Sequence, residues 1–537
     1  MADADYVIVG GGSAGCVLAN RLSEDPSARV LLLEAGGRDR HPNIKIPAAF
    51  ANQFHTRLDW DYATEPEPSV DRRSLFVPRG KALGGSSSMN AMLYVRGRPL
   101  DYDLWEKQGA VGWGWDDVLP YFIRSEDNAR GASEFHGSGG ELRVSDQRSP
   151  RPLDRRLLEA SVAAGIPRID DYNGPEQDGV SMFQVTQRGG QRWSAADAFL
   201  RPALDRPNLE VRTGATVLGL DLDGKRAAGV RYRGRRGGER TARAAREVIL
   251  AAGAIGSPQI LLLSGIGPPD HLREVGIDVL HDLPGVGRNL QDHPFVSMLW
   301  EVSEGPTMYG ADRPRNLAEW LLRRSGPLTS TVAEVVAFVR TRAGLPAADI
   351  QFHMGAVYFE DHGQEEFDGD AMTIAPVLVS PQARGAVWLR SADPSAKPRI
   401  LTRALSEPDD VASLVSGMEL AREIASEPPL AEVVTRELKP GVDADDREAL
   451  EADLRRRLML IYHPVGTCRM SDRDDTAVVD SELRVHGIEG VRVADASVMP
   501  VIPGGNTNAP TIMVAEKAAD LIRGREPPRG GGKQASG

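Results

Sequence analysis

The chain has 537 residues, of which 41% are hydrophobic and 26% charged, the balance of an ordinary soluble globular protein. This length exceeds what one simple core usually organises, so we expect more than one domain. The formal net charge of −12 excludes the positive surface that nucleic-acid phosphates require, and we expect no nucleic-acid partner.

The cysteine count and the hydropathy bear on location. Cys16 and Cys468 are too few for a disulfide framework; one bridge between them stays open, but reduced thiols and a cytoplasmic location are favoured. No stretch approaches the roughly 18 unbroken apolar residues of a spanning helix, which leaves a peripheral contact with the inner membrane face open. The sequence also leaves open whether the protein forms a homodimer. The tail, residues 526–537, is rich in Gly, Pro and polar residues and is predicted to be disordered.

The N-terminal segment carries the pattern of a dinucleotide-binding unit. Residues 5–9 predict a buried strand, and segment 10–15 follows with its glycines in G-x-G-x-x-G spacing. Residues 13–24 predict a helix, residues 29–33 predict a second strand, and Glu34 closes that strand. This order is typical of dinucleotide binding, but it does not choose between NAD and FAD.

Each part of this pattern has a physical task. Gly10 permits the tight turn, Gly12 lets the backbone approach a pyrophosphate, and Gly15 allows close packing of helix and strand. The helix that begins at Ser13 offers unpaired N–H groups to phosphates. Glu34 can accept hydrogen bonds from ribose hydroxyls. A glycine-rich turn without a ligand is the alternative for the glycine motif taken alone.

A second glycine-rich segment runs from residue 80 to residue 97 and begins Gly-Lys-Ala-Leu-Gly-Gly-Ser-Ser-Ser-Met-Asn. Gly84, Gly85 and three serines expose donors that could hold a second phosphate or the edge of a flavin. A flexible linker is the alternative, but the segment runs directly into apolar Met89 and Met92, which a free linker would not need.

Four more blocks follow in the chain, at residues 253–267, 289–294, 462–468 and 493–511. In order and spacing the blocks resemble the glucose-methanol-choline (GMC) oxidoreductase family, closest to its bacterial FAD-linked alcohol and choline dehydrogenases. The resemblance covers nearly the whole chain. It implies an enzyme that binds FAD and oxidises alcohols.

The resemblance also implies the fold, an α/β class with a Rossmann-like FAD-binding domain. A discontinuous second, substrate-binding domain of α+β character would carry a mixed or antiparallel sheet. The sequence fits this arrangement, because residues 491–494 predict a late strand and Pro510 lies near the start of a helical pattern. The FAD-binding domain is placed at residues 1–155, 196–300 and 461–525, and the substrate-binding domain at residues 156–195 and 301–460.

By resemblance, Asp495 lies near the flavin's phosphate and ribitol region. Val217 matches a position whose backbone faces adenine, with a plain strand valine as the alternative. Met89 stands where relatives with covalent FAD carry the linking histidine, so FAD is expected to bind without a covalent link. The predicted cofactor residues are Gly10, Gly12, Ser13, Gly15, Glu34, Ala35, Gly84, Gly85, Ser88, Asn90, Ala91, Met92, Val217, Asp495, Ala496, Asn506 and Thr507.

Flavin-dependent alcohol oxidation removes a hydroxyl proton and transfers a hydride to flavin N5, and the protein supplies a base. A base with a pKa near the working pH favours histidine. Among the ten histidines, His463 in Tyr-His-Pro-Val-Gly matches the family's catalytic histidine. Asn506 matches its partner and could donate a hydrogen bond to the developing alkoxide; shaping the turn before the last helix is the alternative.

Three residues are predicted to line the substrate cavity. Tyr462 would wall it, and His353 resembles a cavity histidine of choline-oxidising relatives, with a structural role as the alternative. Phe295 replaces the glutamate that choline oxidases place after Asp-His-Pro to pair with trimethylammonium, which favours a neutral alcohol. No His, Cys and carboxylate cluster has metal-ligand spacing, so we expect no metal.

The resulting hypothesis is FAD-dependent oxidation of a primary, neutral aliphatic or aromatic alcohol to an aldehyde, with a quinone or other carrier as electron acceptor. An oxidase that uses oxygen and a choline dehydrogenase are the alternatives. A lyase on the same fold is a third.

Overall fold

The computed structural model describes residues 2–528. Residues 529–537, most of the tail predicted to be disordered, lie outside the described residues. The helices are α1 (Ser13–Leu22), α2 (Pro42–Lys45), α3 (Pro99–Lys107), α4 (Trp115–Ser125), α5 (Pro152–Ala163), α6 (Arg201–Ala203), α7 (Gly253–Leu263), α8 (Pro269–Glu274), α9 (Pro314–Arg323), α10 (Pro408–Ser426), α11 (Pro428–Ala431), α12 (Arg447–Arg457) and α13 (Asn508–Arg523).

The strands are β1 (Ala4–Val9), β2 (Val30–Glu34), β3 (Tyr62–Ala63), β4 (Phe76–Val77), β5 (Glu126–Asn128), β6 (Leu142–Asp146), β7 (Gly179–Met182), β8 (Gln184–Val185), β9 (Gln187–Arg188), β10 (Gln191–Arg192), β11 (Leu209–Thr213), β12 (Thr216–Asp223), β13 (Arg226–Arg233), β14 (Glu239–Leu250), β15 (Ile266–Gly267), β16 (His281–Asp282), β17 (Arg288–Leu290), β18 (Pro294–Phe295), β19 (Met298–Val302), β20 (Val335–Val339), β21 (Ile350–Gly355), β22 (Ala371–Leu378), β23 (Gly385–Trp388), β24 (Arg399–Leu401), β25 (Val434–Lys439), β26 (Met459–Leu460) and β27 (Val491–Val493).

The first large sheet has seven strands and is built from three distant parts of the chain. Strands β11, β2, β1, β14 and β27 run parallel, and β13 and β12 extend the sheet in antiparallel order from β14. Helices α1 and α13 pack against each other within the core of this sheet. The buried strands β1 and β2 are nearly continuous apolar runs, as expected for parallel strands covered on both faces.

The second large sheet has eight strands, and every pairing in it is antiparallel. Its order is β25, β19, β22, β21, β20 and β7, and the short β18 joins β22 to β26. Helices α5 and α10 pack on it and close a second apolar core. Strands β18 and β19 belong to this second sheet, although they begin before residue 300, where the FAD-binding domain was predicted to end. Strand pairing alone does not define the domain bounds, so the predicted bounds stay a proposal.

The predicted glycine turn connects β1 to α1. Gly10 has a φ of 103°, a left-handed conformation that favours glycine. A Cβ on Gly15 would lie 1.8 Å from the carbonyl oxygen of Gly10, so only glycine lets the helix approach the turn this closely. The structure therefore has the tight turn predicted at Gly10 and the close packing predicted at Gly15.

Both cysteines are buried and free. Burial raises the pKa of the Cys16 and Cys468 thiols, which keeps them protonated. In the part of the chain that the structure describes, no helix has both the length and the apolar character needed to cross a bilayer.

A buried ion cluster fastens the two ends of the chain together. Glu516 of α13 is fully buried and pairs with Arg21 of α1 at 2.7 Å and with Arg124 of α4 at 2.6 Å. Arg21 also pairs with Glu141, whose side chain is 29% exposed. A buried carboxylate between two guanidinium groups is stabilising only while all partners are present, because an unpaired buried charge is costly.

We predict that Glu516→Gln lowers the free energy of unfolding by about 3 kcal/mol, because it removes the fully buried carboxylate that the Arg21 and Arg124 guanidinium groups share. Glu141→Gln is the matched control, since it removes a carboxylate from the same arginine at a half-exposed site, where a loss of about 0–1 kcal/mol is expected. Urea unfolding of the FAD-loaded variants, followed by circular dichroism, measures both. Equal losses would contradict a special role for the buried carboxylate.

Candidate active site

One cavity of about 570 Å³ is lined by residues of both large sheets. At one end lie the turn after β1 and the carboxyl end of β2, and at the other lie β18, β21 and β22. It brings together most of the predicted site residues: Gly10, Gly12, Ser13, Glu34, Ala35, Gly85, Asn90, Ala91, Met92, Val217, Phe295, His353, Tyr462, His463, Asp495, Ala496, Asn506 and Thr507.

Three predicted cofactor residues do not line the cavity and shape it from behind. Gly15 permits the packing of α1. The backbone N–H of Gly84 donates to the carbonyl of Gly11 at 2.7 Å, which joins the two glycine-rich segments. The Ser88 hydroxyl donates to the carbonyl of Leu83 at 2.8 Å, so it turns toward its own loop. Direct contact of Gly15, Gly84 or Ser88 with a cofactor stays a prediction.

The two glycine-rich segments meet without side chains between them. A Cβ on Gly85 would lie 2.7 Å from the Cα of Gly12, whereas a Cβ on Gly12 would find its nearest atom 4.0 Å away. The N-termini of α1 and α13 both reach the cavity here, and each offers unpaired backbone N–H groups. Open backbone surface beside two helix N-termini fits a pyrophosphate.

The two buried carboxylates at this end accept from backbone N–H groups. Glu34 accepts from Gly11 at 2.7 Å and from Gly36 at 2.6 Å. Its burial raises its pKa to about 7. Since each carboxylate oxygen has a second acceptor site, Glu34 can still bind ribose hydroxyls. Asp495 accepts from the N–H of Gly253 at 2.8 Å and caps the turn that follows β27.

Asn506, two residues before the start of α13, faces His463 beside β21. The Asn506 Nδ2 donates to the His463 Nε2 at 3.2 Å, and the Asn506 Oδ1 accepts from the Gln351 Nε2 at 3.2 Å. Gln351 fixes this orientation of the Asn506 amide. The His463 Nε2 is therefore the acceptor nitrogen of its ring, which is the state a general base requires.

The other ring nitrogen of His463 contacts His293. The two Nδ1 atoms are 3.1 Å apart, so the Nδ1–H of His463 donates to His293. One oxygen of Asp292 accepts from the backbone N–H of His293 at 2.8 Å and from that of His463 at 2.7 Å. Segments 291–295 and 459–465 run antiparallel, which places the two histidines side by side.

The backbone before His463 is strained. Tyr462 has a φ of 70°, in the left-handed region that residues other than glycine rarely adopt. Arg79 donates to the carbonyl of Tyr462 at 2.8 Å, and the Tyr462 hydroxyl bonds to His362. These contacts hold the strained residue in place.

Burial keeps the histidines of the site neutral. It lowers the pKa of His463 well below 6.5, and the neighbouring Arg79, His293 and His353 make a positive charge on His463 less favourable still. Burial also lowers the pKa of His293 and of His353 to about 3. It raises the pKa of Asp292 to about 7. A neutral His463 can take a proton at physiological pH.

Much of the cavity wall is apolar and aromatic. Phe295 is buried and packs with Ala375 and Met459. His353 also faces the cavity and has a T-shaped contact with Phe183 at 5.2 Å. Aromatic residues that sequence reasoning missed complete the lining: Phe50, Phe54, Trp60, Tyr62 and Phe359.

Gln351 and Asp292 were also missed. Gln351 lies two positions before His353 on β21, so both side chains point to the same face of the strand, and two polar residues on one face of a buried strand would have signalled a site. Asp292 lies in one of the family blocks, but its partner His463 is 171 positions away. Among residues 2–528, no group of three or more His, Cys, Asp or Glu side chains could hold a metal ion.

The GMC oxidoreductase family models match residues 4–295 and residues 381–515 of the chain. The alcohol dehydrogenase [acceptor] of Pseudomonas putida is 43% identical over 526 residues, covering 96% of this chain and 95% of that protein. The oxygen-dependent choline dehydrogenase of Brucella ovis is 43% identical over 533 residues, covering 98% and 96%. A solved structure of the formate oxidase of Aspergillus oryzae RIB40, determined to study its FAD modification, has a TM-score of 0.92, 30% identity and coverage of 98% and 99%.

These matches confirm the family, the fold class and the FAD cofactor that the sequence predicts. The open backbone surface and the buried carboxylates described above fit that cofactor. The chain belongs to the GMC oxidoreductase family and is an FAD-dependent oxidoreductase.

Proposed function

We propose that the enzyme oxidises a primary, neutral aliphatic or aromatic alcohol to an aldehyde and passes the electrons to a quinone or another carrier. The observation that supports this most is the pair formed by the His463 Nε2 and the Asn506 Nδ2, 3.2 Å apart on the cavity wall. When bound, FAD supplies the hydride acceptor. A cytoplasmic location is part of the same proposal.

The FAD-holding residues would be those of the glycine-lined end. Gly12 leaves room for the pyrophosphate, Gly10 permits the turn that brings it there, and Glu34 accepts from the ribose. Asp495 and the N-terminus of α13 would lie at the flavin's phosphate and ribitol. These assignments rest on the lining of the cavity and on free donors and acceptors there.

His463 and Asn506 together can activate a hydroxyl group. An alcohol that enters between them donates its O–H to the His463 Nε2, while its oxygen accepts from the Asn506 Nδ2. As His463 takes the proton, negative charge grows on the oxygen, and the hydrogen bond from Asn506 strengthens. Gln351 acts through Asn506 as a positioning residue, since it holds the amide with its N–H₂ toward the site.

The charge pattern of the cavity supports a neutral substrate. Among the described residues that line it, the acidic ones are Glu34 and Asp495, and both lie at the cofactor end. Around His463 the wall is Phe295 and its apolar neighbours. A cationic substrate would lose its hydration there without gaining a counter-charge, which costs several kcal/mol. Choline is therefore the weaker candidate, although a choline dehydrogenase is among the relatives.

A panel of alcohols tests this function, with oxygen alone and with an artificial quinone as acceptor. We expect aliphatic and benzylic primary alcohols to reduce the quinone faster than oxygen, and choline to be poor with both. Equal rates with oxygen and with the quinone would show that the enzyme is an oxidase and not a dehydrogenase. No alcohol oxidation with either acceptor would favour a lyase.

The variant Phe295→Glu tests whether the missing carboxylate at this position disfavours choline. It introduces the missing counter-charge, so we expect kcat/KM for choline to rise roughly tenfold, the value of one charge-assisted interaction. The value for a neutral alcohol of similar size should fall. A clear preference for choline in the unmodified enzyme would show that another group binds the cation.

FAD is predicted to be bound without a covalent link, because buried Met89 lines the cavity where covalent relatives have histidine. A thioether does not form that linkage. Acid precipitation should therefore release the flavin into the supernatant. Yellow colour in the washed pellet would refute this.

His463→Ala is predicted to keep FAD bound, since the cofactor end of the cavity belongs to other segments. Its rate of flavin reduction should fall roughly 10²–10⁴-fold, the usual share of a positioned base. Asn506→Ala should lose less, roughly tenfold to a hundredfold, as for one hydrogen bond to a charged group. Anaerobic stopped-flow absorbance measures this half-reaction without the electron acceptor.

His353→Ala is the matched control, because it removes another buried cavity histidine, one that is not hydrogen-bonded to Asn506. We expect a smaller loss than for His463→Ala. If His463→Ala reduces its flavin at the unmodified rate while His353→Ala does not, the base has been assigned to the wrong residue.

A further inference from the structure

Helix α9, Pro314–Arg323, exposes apolar side chains in a group. Leu317 is 41% exposed, Leu321 55% and Leu322 84%, and Ala318 beside them is exposed as well. We call these four residues the leucine face. Single exposed leucines are common on protein surfaces, but a contiguous apolar group on one helix marks an interaction site.

The orientation of the leucine face is fixed by the other side of the helix. Leu317 and Leu321 are four positions apart, as are Ala318 and Leu322, so the four lie in two adjacent rows. Trp320 is buried on a different side, and its Nε1 donates to the carbonyl of Gly190 at 2.9 Å. The indole thus anchors α9 to the β9–β10 hairpin and leaves the leucines outward.

Three exposed arginines flank the leucine face. Arg313 and Arg315 lie at the start of α9, and Arg323 lies at its end. Within residues 2–528, none of the three forms an ion pair with a carboxylate, although the chain has a net charge of −12. Arg324, which follows the helix, turns inward and stacks on Trp320 at 4.1 Å from the ring centre. Unpaired positive charge around an apolar face is complementary to an anionic, apolar partner.

The chain connects this surface to the cavity. After α9 a short turn, Pro327–Thr329, packs on the turn Pro47–Ala49, and residues 331–333 then form part of the cavity wall. Phe50, directly after the second turn, also lines the cavity. A short stretch of chain therefore joins the leucine face to the cavity wall.

We propose that the leucine face and its three exposed arginines, Arg313, Arg315 and Arg323, form the docking surface for an anionic phospholipid bilayer. The leucines enter the boundary between headgroups and acyl chains, and the arginines stay at the phosphates, as in interfacial amphipathic helices. The proposal deepens the proposed function and rests on it in one respect: a quinone acceptor is apolar and resides in the bilayer. Docking there would bring acceptor and cavity to the same interface.

A second copy of the chain is the less favoured occupant. A two-fold symmetric contact would place the same patch on both sides and face three unpaired arginines with three more. Lipid phosphates neutralise these charges, whereas a second leucine face does not.

Flotation with vesicles tests the proposal on the FAD-loaded protein. We expect binding to vesicles of phosphatidylglycerol and phosphatidylcholine, weaker binding to phosphatidylcholine alone, and loss of binding as salt is raised. The double variant Leu321→Ser/Leu322→Ser should weaken apparent affinity on the order of a hundredfold, the effect of two leucines left out of the bilayer. Arg315→Gln/Arg323→Gln should weaken it on the order of tenfold.

Matched controls distinguish binding through this surface from nonspecific binding through any exposed apolar side chain or arginine. Val442→Ser removes an equally exposed apolar side chain, at 82%, and Arg235→Gln/Arg236→Gln removes two exposed arginines elsewhere. Both should bind vesicles like the unmodified protein. Absence of vesicle binding, or equal binding by the leucine variant, overturns the proposal. A dimer that the leucine variant converts to monomer, without vesicle binding, overturns it in favour of a second copy.

Activity with a soluble dye distinguishes failure of the docking proposal from failure of the proposed function. The leucine and arginine variants should oxidise alcohol with the dye at the unmodified rate, since none of these residues lines the cavity. Vesicle binding is measured without substrate. A protein that binds vesicles but oxidises no alcohol would refute the proposed function and leave the docking surface intact.

Discussion

The chemistry of the cavity depends on one carboxylate oxygen of Asp292, which accepts hydrogen bonds from the backbone N–H groups of His293 and His463. The two segments pair in antiparallel order around it, so neither histidine can move without breaking a buried hydrogen bond. Such a bond to a charged group is worth about 1.5–3 kcal/mol. Asn506, held by Gln351, then completes the arrangement from the Nε2 side of the His463 ring.

The same end of the cavity holds buried polar atoms that find no partner among the described residues. They include the Nε2 atoms of His293 and His353, the Oε1 of Gln351 and the Oδ2 of Asp292. A buried polar atom without a partner costs about 1–3 kcal/mol, and such atoms concentrate where a site is kept ready for a ligand. The strained backbone of Tyr462 adds to this cost. Burial of apolar side chains in the two large cores offsets these free-energy costs.

Much of the cofactor end could be predicted from the sequence, because its signals are local. The strand, glycine turn and helix follow each other directly, and the predicted helix from residue 13 to residue 24 differs from α1 only at its C-terminal end. The backbone approach of Gly15 to Gly10 follows from the same spacing. Resemblance to a family supplied His463 and Asn506, which periodicity alone would not have paired.

The rest depends on contacts between distant segments. The pairing of segment 291–295 with segment 459–465 and the bond from Gln351 to Asn506 have no local pattern. The exposure of α9 is hidden as well, since leucines at helical spacing predict a face turned toward the core. Only the burial of Trp320 on another side of that helix reveals that the leucines face outward.

The most direct test of the account is a crystal structure of the FAD-loaded enzyme with a neutral primary alcohol or an unreactive analogue bound. The account predicts that the hydroxyl oxygen lies within hydrogen-bonding distance of both the His463 Nε2 and the Asn506 Nδ2, with the carbon chain against Phe295. A hydroxyl bound to His353 instead, out of reach of His463, would contradict it.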